Sequence, residues 1–462
     1  MDVAPIPALL PRDRTGHQFV LYADSCSGVP GALHESTFAA VNQIVARLAP
    51  QPEFICFPGD EIIGLTADDE ALRQQWQHWF DVEMAWLDAS AIPLYHTTGN
   101  HTVYDSHSET IYRQVMNHLP RNGPTGQEGL SYFVRRGDLL LIFTNTLNLT
   151  LGGEGRVETT WLEQTLIEHA DAHHKLVFGH HPVFSVNGFV GEHGRDIDTA
   201  MGQTLWSLLI EHGVLAYVCS HILAFDVQVH DGVLQILTAG AGTAHRMPEG
   251  VEYLHCVQAA LDQQGLRYQV LDTDGAVREQ LAWPLNLGMS SDWDPLSLGL
   301  VHAPYSPKLD ESSSSSQDPN LICWRFSGVC SAEATGTRQT LLSAWNEGTG
   351  LAPLWIGLAG IENRLSILLA PTPGRSPHLW TGPALQADQP FDIQVALHGG
   401  MGPGGVLWRW DDDKPWSSLH GSSAWGVERL SWPSFWSIGR GQRGETDFPF
   451  LGHELRVKWH EK

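Results

Sequence analysis

The sequence predicts an α/β layered sandwich followed by an all-β, jelly-roll-like domain. Two observations carry this. Over residues 1–285, short apolar runs end in clusters of small or polar residues and are followed by segments with helical spacing. Beyond about residue 320 the helical spacing stops, and short strand candidates are separated by Gly and Pro.

In order, HQFVLYADSCSG (17–28) reads as a strand and its loop, followed by helical STFAAVNQIVARLA (36–49). PEFICFPGDEI (52–62) leads into ADDEALRQQWQHWFDVEMAWLDA (67–89), and IPLYHTTGNHTVYD (92–105) into SETIYRQVMNHL (108–119). DLLLIFTNT (138–146), TTWLEQTLIEHA (159–170), HHKLVFGHHPVF (173–184), QTLWSLLIEHG (203–213) and VLAYVCSH (214–221) continue the alternation. VLQILTAGAG (233–242) is a further strand, and YLHCVQAALDQQGLRYQVLDTDG (253–275) reads as a hairpin ending in a DG turn. Residues 286–320, with SSSSS at 312–316, read as a linker. The sandwich then occupies 321–462, with RQTLLSAW, APLWIGLAG, NRLSILLA, FDIQVALHG, GGVLWRW and HELRVKW as strands. Eleven of the 18 tryptophans lie there, as core and edge packing or, on loops such as WRWDDDKPW, as a surface for sugars.

The charge balance, 52 acidic against 27 basic side chains, opposes binding to a nucleic acid duplex or an anionic membrane. MDVAPIPALLPRDRTGHQFV has no basic segment followed by a long apolar run, so a soluble protein without a signal peptide is expected. The six cysteines form no framework and no CxxC pair, which favours a reducing, cytoplasmic setting.

Chemistry in such layers gathers where strands end. Five strand-end clusters have the residue types of a metal site: YADSCSG with Asp24, PGDE with Asp60, TGNH with Asn100 and His101, FGHHP with His180 and His181, and CSH with His221. Carboxylate, amide and imidazole together suit Mn, Fe or Zn rather than a thiolate cage. Each cluster follows an apolar run, so all five can meet at one end of a sheet.

The order D-x-H, G-D, G-N-H, G-H-x-P, G-H-x-H resembles that of the calcineurin-like metallophosphoesterases, which include purple acid phosphatases and cyclic-nucleotide phosphodiesterases, over residues 17–245. The resemblance implies a metallophosphoesterase-like layered sandwich and one or two divalent metal ions. It implies hydrolysis of a phosphomonoester or phosphodiester by a metal-bound hydroxide, with a small-molecule phosphoester as partner. Asp60 then bridges two metals, Asn100, His180 and His221 serve the second, Asp24 serves the first, and His101 assists the leaving group. The segment FWSIGRGQRGETDFPFLGHELRV (435–457) resembles the closing part of a laminin G-like or concanavalin-like jelly roll; this domain is expected to shape or cover the pocket or to promote homo-oligomer assembly, with carbohydrate as a partner through loops such as WRWDDDKPW.

Two positions depart from the pattern. Cys26 stands where D-x-H has its histidine, and Leu223 where G-H-x-H has its last; Ile63 replaces the tyrosine of purple acid phosphatases. Three outcomes are open: Cys26 ligates as a thiolate or is a small buried apolar side chain beside a weak first site, and in the extreme the scaffold binds ligand without turnover. A non-phosphate substrate is a further alternative. His181 reads as a pocket wall, while His193, Arg195, His245 and Arg246 are either substrate contacts or loop residues.

Overall fold

The computed structural model describes residues 5–7, 9, 15–189, 195–243, 252–296, 321–331, 336–346, 351–370, 377–423, 435–443 and 446–461. Two compact units result: unit 1 comprises Met1–Ser185, Val190–Val227 and Gly232–Pro284, and unit 2 comprises Val186–Phe189, Gln228–Asp231 and Leu285–Lys462.

Unit 1 is a mixed α/β sandwich. Its main strands are β1 His17–Leu21, β2 Phe54–Phe57, β3 Leu94–His96, β4 Tyr132–Arg136, β5 Leu139–Phe143, β6 His174–Phe178, β7 Ala216–Cys219, β8 Phe225–His230, β9 Val233–Thr238, β10 His255–Asp262, β11 Gly265–Asp272 and β12 Val277–Trp283. They form two six-stranded sheets, ordered β12-β11-β10-β1-β2-β3 and β8-β9-β7-β6-β5-β4. The central strands β1, β2 and β3 run parallel, as do β5, β6, β7 and β9. Parallel strands buried on both faces need continuous apolar side chains; Phe54–Phe57 and Leu139–Phe143 are buried throughout. The sheets are tied together at Tyr132 on β4, whose hydroxyl accepts from His96 N–H at 2.9 Å and donates to His96 O at 2.7 Å.

The helices are α1 Leu33–Ala46, α2 Asp69–His78, α3 Ser106–Val115, α4 Thr159–Glu168 and α5 Thr199–Glu211. Asp68 caps α2 by accepting from Glu70 N–H and Ala71 N–H, and Asp105 opens α3 with a capping box to Ser108. Helical spacing through residue 89 predicts a longer second helix than the structure has. At Trp79 the chain enters a π turn, Trp79–Glu83, which puts the indole in the core and turns the Glu83 carboxylate to accept from Ser27 Oγ and Gly28 N–H. Phe38 of α1 stacks on Trp79 at 5.9 Å, and the indole N–H donates to Ser25 Oγ at 3.2 Å, so the core packs directly beneath the loop after β1.

Unit 2 is all-β and jelly-roll-like, with two six-stranded sheets. One is built on Leu321–Val329 between Pro390–His398 and His453–Glu461; the other on Leu351–Ala359 between Gln339–Asn346 and Arg364–Leu369. Alternate residues Trp324, Phe326, Ile356, Leu358, Leu365, Ile367, Ile393 and Val395 fill its core. Among the described residues from 321 to 461 the single helical element is a 3₁₀ turn, Gly402–Gly404. Residues 286–296, assigned to the linker from sequence, pack within this unit: Leu296 enters the core and Asp294–Pro295 pair with Lys458 and Trp459. The remainder of that stretch, 297–320, lies outside the described residues. The cysteines are free and buried, and no helix among the described residues is long and apolar enough to cross a membrane.

Candidate metal centre

The loops that follow β1, β2, β3, β6 and β7 converge in unit 1. Asp24 N–H donates to Gly59 O at 3.2 Å and Cys26 N–H to Asp60 O at 2.9 Å, so the first two loops run side by side. Asp24, Cys26, Asp60 and His221 all take left-handed φ, between 39° and 71°. For non-glycine residues this costs on the order of 1–3 kcal/mol each, and such residues gather at functional sites. Two glycines make the close approach feasible. A Cβ on Gly59, whose φ is 97°, would sit 2.7 Å from His180 Nδ1, and one on Gly99 would sit 2.1 Å from Asp60 Oδ1.

Four side chains then meet. His180 Nε2 lies 3.2 Å from Asp60 Oδ2 and 3.1 Å from Asn100 Oδ1; His221 Nδ1 lies 2.9 Å from Asn100 Oδ1 and 3.2 Å from His180 Nε2. Pro58 O accepts from Ser220 Oγ at 2.6 Å and lies 2.9 Å from His180 Nδ1. A carbonyl only accepts, so Nδ1 carries a ring proton; Nε2 holds the second proton of an imidazolium, and once that proton is lost offers a lone pair towards the two oxygens. A divalent cation that displaces the Nε2 proton would be met by the same oxygen and nitrogen donors. With metal–ligand bonds of about 2.0–2.2 Å, donors around one zinc or a similar ion lie roughly 3.3 Å apart, which this group matches.

In the metal-free protein the electrostatics place positive charge on His180. Burial disfavours charge on His180, yet the Asp60 and Asp24 carboxylates pull its pKa up to about 9. Asp60 is held below the ordinary carboxylate range despite its burial, by His180 and by His101, whose N–H donates to its Oδ1 at 2.8 Å. Asp24 is pushed up, first by burial and further by Asp60. Burial, then the neighbouring imidazoles of His181 and His180, keep His221 neutral, the form that ligates metal.

The other side of the site differs. Cys26, Asp60 and His101 bring a sulfur, a carboxylate oxygen and a ring nitrogen within 4.8 Å of one another. Asp24 is in none of the donor groups found among the described residues; its Oδ2 accepts from His221 N–H at 3.3 Å. Burial, then Asp60 and Asp24, push the Cys26 thiol far above its ordinary value. Leu223 is half-buried and has no lone pair to offer. His101 Nδ1 lies 2.7 Å from the Ile63 carbonyl, which uses the backbone at the position where tyrosine was absent.

His181 is fully buried, held by Thr146 Oγ1 at 2.9 Å on one ring nitrogen and by Glu154 Oε1 at 3.3 Å on the other. Arg195 lies close enough to His221 for its charge to oppose the imidazolium. His193, His245 and Arg246 fall outside the described residues. Sequence reasoning missed Glu154, whose loop position carries no strand-end signal. It also missed the buried pair beneath the site, Glu61 Oε1 to His96 Nδ1 at 2.8 Å.

No protein-family model matches the sequence. No curated protein matches it either. Among solved structures it is similar to a purple acid phosphatase from yellow lupin (Lupinus luteus) seeds, at 15% identity over 59% of this chain and 55% of that one, with a TM-score of 0.46. The match therefore spans about half the lupin protein's length. A dimetal phosphatase from Danio rerio is 16% identical over 56% of this chain and 96% of that one, TM-score 0.40. The CBM40 of Ruminococcus gnavus IT-sialidase, bound to α2,6-sialyllactose, is 15% identical over 31% of this chain and 76% of that one, TM-score 0.23.

Proposed function

We propose that the chain is a hydrolase acting on a phosphomonoester or phosphodiester, with one tightly held divalent cation in the group Asp60, Asn100, His180 and His221. The observation that carries this reading is the convergence of Asp60, Asn100, His180 and His221, with neighbouring donor atoms 2.9–3.2 Å apart, around a point that attracts positive charge. Two imidazoles, a carboxylate and an amide oxygen suit Mn, Fe or Zn. A cation held there supplies Lewis acidity, activating water at neutral pH and offsetting charge on phosphoryl oxygens.

The chain's own groups set the rest of the chemistry. Pro58 O and Ser220 fix the His180 ring so that Nε2 faces inward. With Nδ1 of His101 on the Ile63 carbonyl, the remaining nitrogen of that half-buried ring is the one able to pass a proton to a leaving oxygen. Cys26 and Asp60 mark a second, weaker cation position, with Cys26 ligating only once it has lost its proton and His101 completing it only at the expense of its proton-donor role. A slow hydrolase is expected, because the first metal of the resembled pair lacks the ligand that Leu223 replaces.

The raised Cys26 thiol and the commitment of Asp24 to His221 N–H favour one further reading, a scaffold that holds one cation and a ligand without turnover. The two readings separate in one experiment. Protein loaded with Mn, Fe or Zn and dialysed should retain one equivalent and hydrolyse a generic phosphomonoester or phosphodiester, with Asp60→Asn abolishing the rate. Retained metal without any rate supports the scaffold; no retained metal and no rate contradicts both.

A further inference from the structure

His221 presents its two ring nitrogens to two different groups. Nδ1 faces Asn100 and His180, whereas Nε2 points away from them, towards Glu154 Oε1 at 3.8 Å. That Nε2 is buried without a hydrogen-bond partner. Glu154 Oε1 is also 3.3 Å from His181 Nε2, and the three donor atoms all lie within 4.8 Å of one another. The spacing of 3.3 Å equals, and that of 3.8 Å exceeds by half an ångström, the roughly 3.3 Å between ligands that share one tetrahedral zinc-like ion.

Local structure brings Glu154 to the two histidines through a single closed loop. Arg156 N–H donates to Thr146 O at 3.1 Å and Asn148 N–H to Arg156 O at 3.2 Å, closing the loop 146–156. Thr146 and Glu154, at its two ends, reach the two nitrogens of the same His181 ring. In the ligating form, His181 Nδ1–H donates to Thr146 Oγ1 and Nε2 is the lone pair, the arrangement in which a ligand histidine has its other nitrogen anchored. The Glu154 side chain is 57% exposed, so this group opens to solvent while the Asp60 group is buried.

We infer that Glu154, His181 and His221 form a further divalent-cation position, distinct from the Cys26 group and outside the group of Asp60, Asn100, His180 and His221, sharing His221 with the latter. A neutral imidazole offers one lone pair, so His221 serves either the inner group through Nδ1 or the outer group through Nε2. The two positions therefore compete, and the outer one fills when the inner one is disabled. The inference takes from the proposed function only the class of cation.

Zinc alone is the probe, with the full chain, elemental analysis after equilibrium dialysis, and the visible spectrum of the cobalt(II) form as a second readout. Wild type, Glu154→Ala and the inner-disabled variant Asp60→Asn/Asn100→Ala should each hold one equivalent. The inner-disabled form should show a shifted cobalt spectrum, and adding Glu154→Ala to it should lower zinc affinity at least tenfold. His180→Gln serves as an alternative inner-disabled variant should the first fail to fold. If inner-disabled protein holds no zinc while wild type does, or if Glu154→Ala leaves its affinity and spectrum unchanged, the outer position is overturned and the proposed function stands. Wild type that holds no zinc, manganese or iron overturns both.

Discussion

The two sides of the centre share a backbone and differ in side chains. On one side, Asp60, Asn100, His180 and His221 converge around a point that attracts positive charge; on the other, Asp24 accepts from a backbone N–H, Cys26 is a buried thiol, and Leu223 is apolar. Left-handed φ values nevertheless occur on both, at Asp24 and Cys26 as at Asp60 and His221. The strained frame that aims ligands inward is thus complete, and the departure lies in which atoms it aims. A site of this kind is expected to bind one cation well and a second one poorly.

The largest effect should come from breaking the complete side. Gly99→Ala would place a Cβ 2.1 Å from Asp60 Oδ1 and 2.4 Å from Asp60 N, so both the carboxylate and the backbone of Asp60 are in the way. It should cost about 3 kcal/mol or more in urea unfolding and abolish metal binding at the inner group. Wild-type stability and metal content in this variant would mean that the close approach of the two loops is not needed.

Next in size is rebuilding the incomplete side. Cys26→His together with Leu223→His supplies two imidazoles at the departing positions, and should add one retained metal equivalent and raise phosphodiester hydrolysis at least tenfold. Overpacking at the buried Cys26 is expected to cost about 1–3 kcal/mol, so folding is checked by denaturant midpoint. An unchanged metal count in folded protein would place the limitation elsewhere than in those two side chains.

The smallest effect belongs to Cys26→Ser. Because the thiol stays protonated in the metal-free protein, the tightly retained equivalent should be unchanged, with a stability loss of about 1 kcal/mol from the buried hydroxyl. Loss of that equivalent would instead make sulfur a principal ligand.

Much of this was legible in the sequence, because apolar runs ending in Asp, Asn or His fix both where strands stop and what stands there. The layered fold and the meeting of Asp60, Asn100, His180 and His221 follow from that pattern. Glu154 was not legible: its place depends on a loop closed between Thr146 and Arg156, a three-dimensional fact without a periodic signature. The π turn at Trp79–Glu83 was hidden for a different reason, since helical spacing continues through it while tertiary packing of one indole overrides the local preference. Nor does spacing reveal that the Asp24 carboxylate accepts from His221 N–H, because that depends on the two loops lying against each other.

The central claim is tested most directly by crystals loaded with zinc or manganese and measured at the anomalous edge. The account predicts an anomalous peak within about 2.0–2.3 Å of Asp60, Asn100 Oδ1, His180 Nε2 and His221 Nδ1. Metal-loaded crystals with no peak at that point, or with one only beside Asp24 and Cys26, would contradict it.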